Sequence, residues 1–209
     1  MERTIPTQWL EKNVDGYLLN AGFSSKNSGV LESFQRELKE SFPDVIWCTP
    51  VGGLHITLFD WLAPLVDYGM DKKRLFDEYF ESYDAVLTEI LNDIGPIPIE
   101  FSELRVTPNA IITVGVDNGS FQEIRDKFIS RIDLIPGTKP PPKIIHATLC
   151  RYQKEIDLAL IKNIAGTKRV NLKEEVREFR LLHEIIAPMV EFELVKKYRL
   201  SHGTIEKET

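Results

Sequence analysis

Two nine-residue segments, Gly53–Trp61 (GLHITLFDW) and Ile144–Tyr152 (IIHATLCRY), constrain this chain more than any other feature. Each holds His-x-Thr-Leu, and the histidines, His55 and His146, stand 91 positions apart (146 less 55). In a strand, alternate residues share a face. His55 and Thr57 therefore point one way while Leu54, Ile56 and Leu58 point the other. Likewise His146 and Thr148 oppose Ile145, Ala147 and Leu149. Each segment reads as a strand that is aliphatic where helices would cover it and carries imidazole and hydroxyl elsewhere. Two unrelated core strands would rarely agree on all of this.

The remaining elements arrange themselves around those strands. Val14–Asn20 reads as a first strand, and Val30, Leu31, Phe34, Leu38 and Phe42 recur at helical spacing until Pro43. Val45–Cys48 is a short strand before the first motif. Asp71–Ile94 carries an unbroken apolar helical stripe that Gly95-Pro96 stops. In the second half, Ile97–Val106 and Ala110–Val116 read as strands. Ser120 with Glu123 forms a capping box opening a helix. A Pro-rich loop, Pro136–Lys143, leads into the second motif, a short helix spans Ile156–Ala165, and strands at Val176–Ile186 and Met189–Leu200 close the chain. Both halves repeat a grammar of strand, helix and His-bearing strand. No linker separates them, so residues 1–209 read as one α+β domain of two lobes, with 1–13 and 203–209 as loose ends.

Charge and composition narrow the partners. A net charge of −6 disfavours coating long nucleic-acid backbones, which takes many Lys/Arg–phosphate contacts. A small ligand in a locally basic cleft fits better. The two cysteines, Cys48 and Cys150, are too few for a disulfide framework and lack the Cys/His neighbours of a zinc site, so packed reduced thiols are expected. No apolar run approaches a membrane span and the N-terminus lacks a signal-peptide core, which makes a cytoplasmic monomer the expectation.

The motif residues suit phosphodiester chemistry. Cleavage through or from a cyclic phosphate needs a base for the attacking oxygen and an acid for the leaving oxygen. Imidazole titrates near neutrality and can serve as either. A Thr hydroxyl two residues along the same strand lies roughly 6–7 Å away, about the span of a phosphate with its hydrogen bonds. No metal or other cofactor is called for.

With its paired His-x-Thr motifs flanked by aliphatics, the sequence resembles the two-histidine (2H) phosphoesterase superfamily, which includes 2′,5′-RNA ligase-like proteins and cyclic phosphodiesterases. The resemblance implies a bilobal, pseudo-duplicated α+β fold. Two antiparallel sheets would form a central groove, with helices on the outer faces. It implies His55 and His146 as the acid/base pair, and Thr57 and Thr148 as phosphate ligands. It also implies a phosphodiesterase acting on a 2′,3′-cyclic nucleotide or RNA end, or on a 2′,5′-linked or cyclic nucleotide. Arg151 fills a place where that superfamily often has Arg, whereas the first motif has Asp60. Strict alternation puts Arg151 on the aliphatic face unless a bulge turns it. It puts Asp60 opposite His55, and Phe59 beside His55, where Phe59 could stack a base. Tyr152 is a second candidate for stacking, and Lys139, Lys143 and Lys154 could form a basic lip with Arg151. The alternative is a non-catalytic nucleotide- or RNA-end-binding module, against which stands the retention of both histidines and both threonines.

Overall fold

The computed structural model describes residues 2–201. The expected loose tail, 203–209, lies outside them. The elements run β1 (Lys12–Gly22), α1 (Ser25–Ser41), β2 (Ile46–Cys48), β3 (His55–Leu62), α2 (Lys72–Asn92), β4 (Ile97–Val106), β5 (Ala110–Asp117), α3 (Ser120–Ile129), β6 (Ile145–Tyr152), α4 (Leu158–Ala165), β7 (Leu172–Val176), β8 (Glu178–Ala187) and β9 (Glu191–Arg199). Two antiparallel sheets result, in the orders β3-β1-β8-β9 and β2-β6-β5-β4-β7. One motif strand belongs to each sheet. Although in different sheets, β3 and β6 pass within 8 Å of each other between Cα atoms.

The helices cover the aliphatic faces, as the periodicity requires. Along α2 the buried residues are Leu75, Phe76, Tyr83, Leu87, Ile90 and Leu91. Side chains of that kind each contribute roughly 1.5–3 kcal/mol on burial. The Asp71 carboxylate starts α2 by accepting from the Arg74 N–H at 2.8 Å. Ile56, Leu58, Leu149 and Leu181 join a core cluster that runs beneath both sheets.

Three expectations need correction. The first concerns the expected loose arm, 1–13, whose described residues, 2–13, are tied to the rest of the fold. Thr4 is buried, its hydroxyl donates to the Lys154 carbonyl at 2.9 Å, and the Thr7 N–H donates to the Tyr152 carbonyl at 2.8 Å. A polar stretch can be ordered when another segment's backbone needs its hydrogen bonds, and here that segment is the end of β6. The second is the capping box on α3, which does not form. Ser120 already lies inside the helix behind Gly119, which adopts a left-handed φ of 94°, and its hydroxyl donates to Asn118 Oδ1. The Asp117 carboxylate takes the freed donors instead, from Gly119 N–H at 3.0 Å and Phe121 N–H at 2.8 Å. The third is the strand expected from Val176. It is β8, which begins at Glu178, and it is preceded by a strand that the periodicity does not reveal, β7, in the other sheet, where Leu172, Glu174 and Val176 point inward. The cysteines sit opposite one another on β2 and β6 as free thiols, with sulfurs 4.0 Å apart.

Candidate active site

Strict alternation fails at a corresponding point in each motif, and that failure builds the site; β3 has a second irregularity beyond it, at Trp61. In the pairing of β1 with β3, Leu19 faces Phe59 and Asn20 faces Thr57, so Leu58 is an extra residue in the ladder. In the pairing of β5 with β6, Ile111 faces Cys150 and Ile112 faces Thr148, so Leu149 is extra. Both bulges fall on the Leu of His-x-Thr-Leu. A bulge shifts the phase of everything after it by one residue. Beyond Leu58 it turns Asp60 toward the histidine face and Phe59 into the core. Beyond Leu149 it turns Arg151 toward the histidine face and keeps Cys150 buried.

Each bulge is held from the helix beside it. The Arg125 side chain on α3 donates from Nε to the Leu58 carbonyl at 2.8 Å and from a terminal nitrogen to the Thr57 carbonyl at 2.9 Å. The Gln35 side chain on α1 donates to the Leu149 and Thr49 carbonyls, both at 2.7 Å. Arg125 and Gln35 are themselves buried. Bulging frees backbone carbonyls that must find donors, and these two side chains supply them.

The result is a solvent-open cavity of about 170 Å³. His55, Thr57 and Asp60 line it from β3, and His146, Thr148 and Arg151 from β6. Thr49, Pro142, Pro188 and Met189 complete the wall. Gly53 lets the turn between β8 and β9 come this close, because any side chain there would strike the Met189 carbonyl.

The two imidazoles are fixed in the same way. His55 Nδ1 lies 2.7 Å from the Gly53 carbonyl and His146 Nδ1 lies 3.3 Å from the Ile144 carbonyl, each two residues back. A carbonyl only accepts, so both Nδ1 atoms carry hydrogen and both Nε2 atoms are left for the cavity. Burial pushes His55 down to about 4. The Gly53 carbonyl opposes that shift, while the nearby Arg180, His146 and Arg151 reinforce it. His146 is also lowered by burial, less severely, with Arg125, Arg151 and Arg105 adding to it against the Ile144 carbonyl. Arg151 is brought down to about 10 by burial and remains a cation near neutral pH. Its guanidinium lies 4.5 Å from the centre of the Trp9 ring, and its Nε has no partner among the described residues.

The sequence candidates thus divide cleanly. His55, Thr57, His146, Thr148 and Arg151 meet in one cavity. Phe59 and Tyr152 do not, and their expected base-stacking role is corrected. Phe59 is 4% exposed and stacks on Phe128 at 4.5 Å, while Tyr152 is fully buried with its hydroxyl donating to the Thr107 carbonyl at 3.0 Å. The same unseen bulge moves Asp60 off the face that alternation assigns to it. Trp9 is not among the candidates at all, since nothing in a polar N-terminal stretch connects it to Arg151. Among the described residues no three His, Cys, Asp or Glu side chains gather as a metal-ligating group, and no helix is long and apolar enough to cross a membrane.

The sequence matches no protein-family model and no curated protein. The fold does have solved counterparts. TT0787 of Thermus thermophilus superimposes with a TM-score of 0.64 at 15% identity, covering 90% of this chain and 98% of that one. E. coli LigT in its apo form gives 0.62 at 11% identity, covering 91% and 100%. A protein described as a phosphoesterase gives 0.61 at 10%, covering 90% and 99%. The likeness is one of fold, and it is the bilobal fold of LigT-like phosphoesterases that the motif pair implied.

Proposed function

We propose that this chain is a metal-independent phosphodiesterase in which His55 and His146 open a cyclic phosphate. The substrate class is a 2′,3′-cyclic nucleotide or RNA end, or a 2′,5′-linked or cyclic nucleotide. The observation that carries the proposal is the matched pair of imidazoles, each with Nδ1 spent on a backbone carbonyl and Nε2 free for one shared cavity. Neutral Nε2 accepts a proton and protonated Nε2 donates one, so a pair can do both halves of the reaction. Supporting it, E. coli LigT has been solved with 3′-AMP and with phosphate bound.

The roles follow from the unequal imidazoles. His55, the more strongly lowered, is the base, and His146, which holds its proton to higher pH, is the acid. His55 Nε2 takes a proton from water as the water oxygen attacks phosphorus. The phosphorus–oxygen bond to the leaving ribose oxygen breaks, and that oxygen takes the His146 proton. Thr57 and Thr148 hydroxyls and the Arg151 guanidinium receive the charge that builds on the non-bridging oxygens. Proton exchange with water then resets both rings.

Turnover of a 2′,3′-cyclic nucleotide, followed by separation of the monoester product, tests this reading directly. The profile of kcat/KM against pH should be a bell. Its acid limb reports His55 losing its neutral form as pH falls toward about 4. Its alkaline limb reports His146 losing its proton below the ordinary imidazole value of 6.5. Both limbs belong to the coupled pair. EDTA should leave the rate intact. Activity that EDTA abolishes, Mn²⁺ restores and alkali raises without limit would refute the mechanism.

A further inference from the structure

Asp60 is the one ionisable group lining the cavity that the two-histidine mechanism does not use. It stands five residues after His55, as Arg151 stands five after His146, and both reach the groove through a bulge at the intervening Leu. The cavity is therefore flanked by a cation where β6 ends and by a carboxyl at the matching place on β3. Taking the phosphodiesterase reading as its basis, we infer that Asp60 makes the site select phosphodiester monoanions and reject phosphomonoester dianions, so that the product is expelled.

The physical reason is charge counting. A cyclic or linear phosphodiester carries one negative charge, whereas a phosphomonoester carries about 1.5–2 near pH 7. Histidines, threonines and Arg151 would favour the dianion, and an Arg at position 60 would favour it further. A carboxylate on the opposite flank acts against the extra charge. In a partly buried site that difference is worth roughly ten- to a hundredfold in affinity. The product of hydrolysis is a monoester, so without such a group the enzyme would hold its product more tightly than its substrate.

The surroundings leave Asp60 free for this. Burial pushes its carboxyl up to about 6, and Lys139, on the Pro-rich loop, opposes the shift. Burial raises the Glu184 carboxyl on β8, the Met189 N–H, which donates to it at 2.6 Å, draws it back down, and Asp60 and Arg151 act on it in opposite senses as like and unlike charges. Tyr68, after β3, is raised mainly by burial and also by Asp60, while His55 lines the cavity on the same strand as Asp60 and His146 lines it from β6. Asp60 is thus ionised above about pH 6, the range in which a monoester becomes a dianion.

Inhibition constants of two matched probes test the inference: a nucleoside 3′-phosphate, and the corresponding nucleoside 3′-sulfate, which stays monoanionic. Both would be measured at pH 7.5 against hydrolysis of the 2′,3′-cyclic nucleotide. In Asp60→Asn the phosphate should bind at least tenfold more tightly than in the wild type, and the sulfate less than threefold more tightly. Asp60→Ser should behave alike, which guards against a folding defect in either variant. In the wild type, lowering the pH to 5 should tighten the phosphate far more than the sulfate. Parallel changes for both probes, or none, would overturn the role of Asp60 while wild-type turnover left the phosphodiesterase reading standing. A wild type that neither turns over the cyclic nucleotide nor binds the phosphate would remove both.

Discussion

On β3 the bulge is clamped by a cation, Arg125, the histidine is held down to about 4, and the strand delivers Asp60 to the groove. On β6 the bulge is clamped by the neutral Gln35, the histidine is lowered less, and the strand delivers Arg151. Everything up to the Leu is shared: His, Thr, the carbonyl contact two residues back and the extra residue in the ladder. Everything beyond it differs. The shared part is what one phosphate demands from both sides, a hydroxyl and a correctly turned ring. The unshared part sets the proton affinities of the two rings apart, and the proposed division into base and acid draws on that difference. In the proposed mechanism two strands of one design become two different reagents through what surrounds them.

The strongest test of that division removes the rings. Expected losses for His55→Ala and His146→Ala are roughly 10²–10⁴-fold each in kcat/KM on a 2′,3′-cyclic nucleotide. The double variant should fall little below the worse single one, because the pair acts as a unit. The comparison sharpens in the pH profile: losing His55 should flatten the acid limb and losing His146 the alkaline one. If the limbs respond the other way round, the roles are reversed. A variant with full activity removes its strand from the mechanism.

Smaller losses should come from the shared hydroxyls. Thr57→Val and Thr148→Val should each lower kcat by about 10–10³-fold, with KM moving less, since the charge they meet develops in the transition state. Near-equal losses would support a phosphate held symmetrically. A loss confined to one variant, measured by steady-state kinetics on the same substrate, would show that only one lobe binds the non-bridging oxygens.

How far the sequence carries the structure depends on a single residue in each motif. Period-two alternation locates both strands, turns His55 with Thr57 and His146 with Thr148, and places the aliphatic faces under helices. It carries no sign of the bulges, because Leu58-Phe59 and Leu149-Cys150 read as ordinary apolar pairs within a strand. From that point the phase is wrong. Alternation puts Phe59 in the groove and Asp60 outside it, and it recovers Arg151 only on the condition of a bulge. A buried Arg125 inside an amphipathic helix and a buried Gln35 on another are faint signals that some backbone nearby lacks partners. Trp9 leaves no signal, since its contact with Arg151 spans almost the whole chain between the arm and β6.

The clamps should separate the strands by stability. Arg125→Leu strips donors from two carbonyls, those of Leu58 and Thr57, and should lower unfolding free energy by about 2–4 kcal/mol. Gln35→Leu strips its donor from the Thr49 carbonyl but leaves the Leu149 carbonyl still accepting from the Thr49 N–H at 2.9 Å, so about 1–2 kcal/mol is expected. Urea midpoints would measure both. Each variant should also lose about tenfold in kcat/KM, as the bulge relaxes and the strand beyond it turns. Equal destabilisation would mean that the cation on α3 has no greater hold on its strand than the amide on α1.

The finest distinction concerns Arg151 alone, whose guanidinium lies 4.5 Å from the centre of the Trp9 ring. A guanidinium with its face against an indole keeps its edge, and hence its donors, directed into the cavity. That contact is worth roughly 0.5–2 kcal/mol at a partly buried site. Trp9→Leu should accordingly lower kcat about three- to tenfold while KM moves less, since Arg151, which meets charge that develops in the transition state, is misdirected and not removed. In an Arg151→Met background the same substitution should have almost no further effect, because the group that Trp9 orients is gone. Equal effects of Trp9→Leu in the two backgrounds would mean that Trp9 acts by some other route, such as holding the N-terminal arm against β6. A fall in melting temperature of the same size in both backgrounds would identify that route. The asymmetry between the two strands would then reduce to the charges of Asp60 and Arg151 themselves.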